Sequence, residues 1–376
     1  MSDMKLLRLC TQHIRLNHPL PWNVHNEPGQ LLLSKGFVLT SQDQIDALLA
    51  RGMYVDQDEY EQQARKAAEA VSVAKVDPFT LWSNILKTVA QVLLRPDSPT
   101  FVTEIGQVSG TIQKAMKDDI EIGSFEMLHG QPVGYAVMHS LQTAFVACLV
   151  AERFGWSESE RHTLMQSALT MNISMLNLQN VLAKQATPPT PEQRAEIDAH
   201  PHKSRAMLEA AGVTDAAWLH TVEHHHVTQG GKPLPPDHGT FGPLACMIHY
   251  ADVYLAKMSP RATRPALAVN VAARELYVHA GGAENPYVGA IIKEMGLFPP
   301  GTYVKLANGD TAVVTRKGAT ANAPLVHSLI SSDGWVFPDA KLRDTTKGEY
   351  KVVATVPRDN VLLRLNRHRL FGYVAA

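Results

Sequence analysis

From about residue 78 to 298, apolar residues recur almost throughout at the three- and four-residue spacing of helix faces, and this periodicity is the strongest constraint on the fold. In AVMHSLQTAFVACLVAERF the positions Val137, Leu141, Phe145, Cys148 and Leu149 follow it, with His139, Gln142 and Val146 on an adjoining stripe. Thr190-Pro191-Glu192-Gln193 marks a further helix start, since Thr190 can cap, Pro191 suits the first helical position and Gln193 completes a capping box. That helix is expected to end or bend at His200, because the residue before Pro201 is biased away from the α region.

The helical pattern stops at Pro299-Pro300-Gly301. TYVKLANGDTAVVTRKG then has β-rich runs joined at Asn308-Gly309, a strong hairpin signal, and the tail YKVVATVPRDNVLLRLNRHRLFGYV continues in that style. At the other end, WNVHNEPGQLLLSKGFVL holds two short apolar runs around Glu27-Pro28-Gly29, and SQDQIDALLARG reads as a helix closed by Gly52. The polar, Ala-rich EYEQQARKAAEAVSVAKVD suits a linking helix. The predicted fold is mainly α: a small α/β module at 1–60, a linking helix at 61–77, a helical bundle core at 78–298 and a small β-rich unit at 299–376.

The 376 residues carry 35 Lys+Arg against 36 Asp+Glu, a formal charge of -1, which argues against a nucleic-acid-binding surface. Arg364, Arg367 and Arg369 read as an exposed face near the chain end rather than as a nucleic-acid patch. Cys10, Cys148 and Cys246 are odd in number and far apart, so neither a disulfide framework nor a thiolate zinc site is indicated, and a cytoplasmic location is expected. The first residues lack a cleavable leader pattern, and no membrane span is expected. Asn172-Ile173-Ser174 matches a glycosylation sequon but sits in an apolar helix, so it reads as accidental.

What stands out is 17 His in a chain with only 19% charged residues. The sharpest feature is Glu223-His224-His225-His226, because clustered imidazoles most often bind metal. Neighbouring helical residues point about 100° apart, so His224 and His225 could serve two metals, or a metal and a phosphate. A solvated helix end is the plainer alternative. His139, His200 before a proline, and Asp252 in the apolar setting of HYADVYLAKM are further candidates.

The order and context of these blocks, from HSLQTAFVACLVAERFGWSESE through TPEQRAEIDAHP, VEHHHVTQGGKP and YADVYLAKMSPRATRPAL to GLFPPGTYVKLANGDTAVV, resemble the HD-GYP family of the HD-domain phosphohydrolase superfamily. The resemblance covers about residues 135–315, and the first 60 residues are similar to a small module that precedes such domains in some members. It implies a helical bundle whose active members hydrolyse cyclic di-GMP with two or three metal ions, often iron or manganese. It assigns metal-ligand positions to His139, His200, His224, His225 and Asp252.

This chain departs from the pattern where the chemistry is most demanding. The name-giving His-Asp doublet falls on Met171 and Asn172, the Gly-Lys after it on Ser174 and Met175, and an acidic ligand one turn before the first His on Tyr135. Asn172 offers one neutral oxygen, and Met171 a thioether suited to soft metals. The GYP loop reads Gly230-Gly231-Lys232-Pro233, one residue shorter and with lysine for tyrosine, while Arg261 and Arg264 match the family's phosphate-contacting basic pair.

The resemblance therefore implies a degenerate member that lacks the doublet and works in cyclic di-GMP-linked bacterial signalling. Such a protein would bind the dinucleotide through Lys232, Arg261 and Arg264, or dock a signalling-protein partner, with little or no hydrolysis and with one divalent ion (Fe, Mn or Zn) or none. The competing reading is a metal-dependent cyclic di-GMP phosphodiesterase with an altered metal site. A homodimer through the N-terminal helices is compatible with either.

Overall fold

The computed structural model describes residues 5–8, 19–20, 22–61, 77–130, 133–226, 228–229, 232–233, 242–262, 266–280, 285–318 and 320–373. The fold is mainly α, and the chain divides into two compact units, Met1–Val76 and Asp77–Ala376. The proposed linking helix lies almost wholly outside the described residues, as do Cys10, Gly230, Gly231 and Arg264.

In the first unit, β1 (Leu6–Arg8), β2 (Val24–His25), β3 (Leu31–Leu33) and β4 (Tyr54–Asp56) form an antiparallel sheet in the order β1-β4-β2-β3. Helix α1 (Gln42–Ala50) starts at a Ser41/Gln44 capping box and buries Ile45 and Leu48. They pack with Leu20, Trp22, Val24, Leu39, Met53 and Val55.

The second unit opens with α2 (Pro78–Leu93), α3 (Phe101–Asp118) and α4 (Ile120–His129). Helix α5 (Tyr135–Arg153) is apolar nearly all round, as a central helix must be. It is long and apolar enough to cross a membrane, but 72% of that window is buried inside the bundle. It is followed by α6 (Glu158–Thr170), α7 (Leu176–Lys184), α8 (Pro191–Ala210), α9 (Ala216–His224), α10 (Gly242–Met258), α11 (Val269–His279) and α12 (Pro286–Met295), of which α6, α7, α10 and α12 pack against it. A two-stranded ribbon, β5 (Thr228–Gln229) and β6 (Lys232–Pro233), lies between α9 and α10 in the chain.

A second antiparallel sheet, ordered β10-β9-β8-β7-β11, belongs to the same unit as the helices. Its strands are β7 (Tyr303–Leu306), β8 (Thr311–Arg316), β9 (Leu325–Ile330), β10 (Val336–Asp344) and β11 (Val352–Thr355). Gly309, at φ 88°, turns the β7–β8 hairpin, and the loop closes through Gly309 N–H to the Leu306 carbonyl (2.9 Å). Phe125 of α4 packs with Tyr303, Val313, Leu329, Val361 and Leu370, the last from the short α13 (Arg367–Leu370). Under that layer the fully buried Glu126 carboxylate takes two hydrogen bonds from Arg367 (2.6 and 2.7 Å), and His129 Nε2 donates to the Gly301 carbonyl (2.7 Å).

Of the end or bend expected at His200, the end does not occur, for α8 runs on to Ala210 with Pro201 inside it. A proline in a helix removes the N–H that would bond the carbonyl four residues earlier, here that of Ile197. His200 Nδ1 donates to that carbonyl instead (2.5 Å), so the helix continues with one side-chain bond in place of a backbone one.

Candidate metal centre

The same substitution of bonds fixes the chemistry of His200. A neutral imidazole has one N–H and one lone pair, and once Nδ1–H is given to Ile197 the lone pair sits on Nε2. His225 is set alike by a different route. Helix α9 ends at His224, which leaves last-turn carbonyls short of backbone donors, and His225 Nδ1 donates to the Val222 carbonyl (2.7 Å). His249, on α10, ties this corner down by donating from Nδ1 to the His225 carbonyl (2.8 Å).

The two free lone pairs then face each other, with Nε2 of His200 and Nε2 of His225 3.2 Å apart in a buried corner. Neither has a hydrogen to offer the other, so the contact is repulsive unless a cation lies against both nitrogens. A proton is disfavoured. Burial pushes His200 down to about 4, against the bond to Ile197. Burial, with His226 and His200 alongside, also holds His225 well below the ordinary imidazole range. A ring nitrogen aimed inward while the other is bonded to a carbonyl is the usual posture of a metal-ligating histidine.

His226 completes the group: the ligand nitrogens of His200, His225 and His226 all lie within 4.8 Å of one another. Its Nε2 is 3.7 Å from Oδ2 of Asp252, whose Oδ1 takes a hydrogen bond from His139 Nε2 (2.5 Å). Burial alone would raise the Asp252 pKa, but the bond and charge of His139, with His226 and His225 nearby, hold its carboxyl below the usual range. His139 Nδ1 is buried with no hydrogen-bond partner among the described residues.

Of the residues named from sequence, His139, His200, His225 and Asp252 are thus linked in one buried cluster. His224 stands apart. Its ring stacks on His220 (3.9 Å between centroids, 18° between planes), and its Nδ1 donates to the His220 carbonyl (2.8 Å) on the face that carries Glu223. His226, rather than His224, lies beside His225 and Asp252: α9 ends at His224, so the next two residues leave the helix together, His225 buried and the exposed His226 with its ring 4.2 Å from that of His225. The run of three histidines signalled a ligand pair, but its register depends on that helix end.

The positions onto which the resemblance puts the His-Asp doublet are inside the bundle. Met171 and Asn172 are buried, and Asn172 Oδ1 has no partner among the described residues. Ser174 is spent on α8, donating from Oγ to the His200 carbonyl (3.0 Å), and Met175 is buried. Three imidazoles with Asp252 alongside therefore fit one divalent ion of borderline character, whereas a second ion would lack a bridging carboxylate. Lys232 lies on β6, its side chain outside the described residues, and Arg264 is outside them altogether. Arg261 bonds to the Tyr135 hydroxyl through Nη2 (2.8 Å) and Nε (3.2 Å), and the Tyr135 ring lies parallel to that of His139 (5.7 Å, 6°).

No family model matches the chain, and no curated protein matches it. Among solved structures it is similar to Bd1817, an HDG"Y"P protein from Bdellovibrio bacteriovorus, at 15% sequence identity and a TM-score of 0.49, over 77% of this chain and 98% of that one. At this level of similarity the function has to be read from the side chains.

Proposed function

We propose that this chain is a degenerate HD-GYP protein in cyclic di-GMP-linked signalling, one that binds the dinucleotide or a protein partner with little or no hydrolysis and holds a single divalent ion. The observation that carries this reading is the pair of inward lone pairs on His200 and His225, with His226 and Asp252 beside them, in a bundle where Asn172 and Met175 occupy the positions of the bridging carboxylate and lysine. A bound ion would supply Lewis acidity to a phosphoryl oxygen. The residues on this chain do the rest: Ile197 and Val222 carbonyls orient the two rings, Asp252 holds His139, and Arg261 supplies charge for a phosphate.

The test is metal content by mass spectrometry on untagged protein purified without chelators, with a cyclic di-GMP binding and turnover assay in Mn, Fe or Zn. One ion per chain, saturable binding and no linear dinucleotide or GMP is the expected result. His226→Ala should remove the ion while His224→Ala keeps it. Two ions per chain with turnover would instead establish the phosphodiesterase reading.

A further inference from the structure

We propose that Tyr135 is a positioning residue for Arg261, and that the two form a phosphate-oxygen-binding rim beside the His139–Asp252 pair. This rests on the ligand-binding reading above and deepens it, since it assigns the role of a tyrosine standing where the resemblance implies an acidic metal ligand.

Tyr135 opens α5 and lays its ring parallel to His139, which in turn donates to Asp252, so one line of contacts runs from Arg261 to the histidine cluster. Arg261 lies past the end of α10 in a loop pinned by Ala262 N–H to the Ala183 carbonyl (2.9 Å). Its guanidinium bonds twice to the Tyr135 oxygen and stands 5.4 Å from the centre of that ring. No carboxylate among the described residues is paired with it; Asp252 is already engaged by His139.

The chemistry of the phenol explains the arrangement. A guanidinium has five N–H donors, and Tyr135 accepts two bonds, which leaves the others for an incoming oxyanion. A carboxylate in place of the phenol would also hold Arg261, but it would neutralise the charge and repel the same anion. A neutral oxygen orients the cation and leaves that charge in force. Holding the long side chain in advance also removes an ordering cost from binding. A planar fork whose other N–H groups carry no bond among the described residues matches phosphate oxygens, so the ligand class is a phosphomonoester or phosphodiester anion.

The experiment is calorimetric titration of the full, tag-free, chelator-treated chain with inorganic pyrophosphate and, separately, with cyclic di-GMP. Tyr135→Phe keeps the ring on His139 and loses only the hydroxyl, and Arg261→Gln loses the charge. Arg261→Gln should weaken pyrophosphate binding about tenfold or more, the worth of a charge-assisted hydrogen bond, with Tyr135→Phe weakening it by less. Adding Tyr135→Phe to Arg261→Gln should change nothing further, because the tyrosine acts through the arginine, whereas a merely structural role would add its own loss. Wild-type affinity in Tyr135→Phe, additive losses in the double variant, or no pyrophosphate binding by the wild type would each overturn the proposal. Pyrophosphate binding with these dependences, but none of cyclic di-GMP either in the chelator-treated chain or after a divalent ion is restored, would support the rim and sink the dinucleotide reading.

Discussion

Pro201→Ala separates the two consequences of a proline inside α8. The alanine restores an N–H to the Ile197 carbonyl and lifts a ring clash, together about 3 kcal/mol in a helix interior. About 1 kcal/mol of this is offset because His200 Nδ1 loses the carbonyl it now bonds. Pro201 is buried, so removing two ring methylenes costs roughly 1.6 kcal/mol, and a freer unfolded chain costs roughly 0.4–1 kcal/mol more. The net change in metal-free stability is thus within about 1 kcal/mol of zero. Metal affinity should nevertheless fall about 10–100-fold, since the carbonyl that orients a ligating imidazole has found another donor. Chelator competition would read the affinity, urea unfolding of the metal-free chain the stability, and nitrogen NMR the His200 tautomer. An unchanged Nδ1–H signal with unchanged metal affinity would refute the claim that the proline sets this ring.

Arg367→Met leaves the fully buried Glu126 without its partner and should cost about 3–5 kcal/mol, as broken buried pairs do, measured by denaturant unfolding. Restoring stability by lowering the pH of that variant would show that Glu126 takes a proton, the direction in which burial already drives it against Arg367. His129 is held down to about 4 from an ordinary 6.5, first by burial and then by Arg358 and Arg367, against its bond to Gly301. The unfolded chain then binds a proton at higher pH than the folded one, so stability should fall as pH drops from 6.5 toward 4, by up to about 1.4 kcal/mol per pH unit for this group. A pH-independent difference between wild type and His129→Gln over that window would contradict it. Gly301→Ala should cost about 1–3 kcal/mol by thermal melting, because φ is 97° and a Cβ would come within 3.0 Å of His129 Cδ2 and 3.1 Å of Leu128 Cβ.

Much of the fold was legible because its signals are local. The period of apolar residues marks α5, the Thr190/Gln193 box starts α8, and Asn308-Gly309 turns the β7–β8 hairpin, each decided within a few residues along the chain. Pro201 is the instructive exception. The local preference of the residue before a proline predicted an end or a bend, and the end did not come: α8 continues, with a side-chain donor for the Ile197 carbonyl.

For the site, the sequence by itself supplied the inventory: the His224-His225-His226 run with His139 and His200 as candidates, Asp252 among apolar neighbours, and Met171, Asn172 and Met175, whose side chains hold neither a carboxylate nor an amine. Only the tertiary structure decided which imidazoles meet. Successive residues at a helix end differ in direction by a large angle, so whether His224 or His226 lies beside the buried His225 turns on the residue where α9 stops. Likewise the hydroxyl of Tyr135 and the guanidinium of Arg261 are 126 positions apart in the chain and meet only because the bundle closes between them. Spacing along the chain carries no record of such a contact, since it is made by folding rather than by neighbouring bonds.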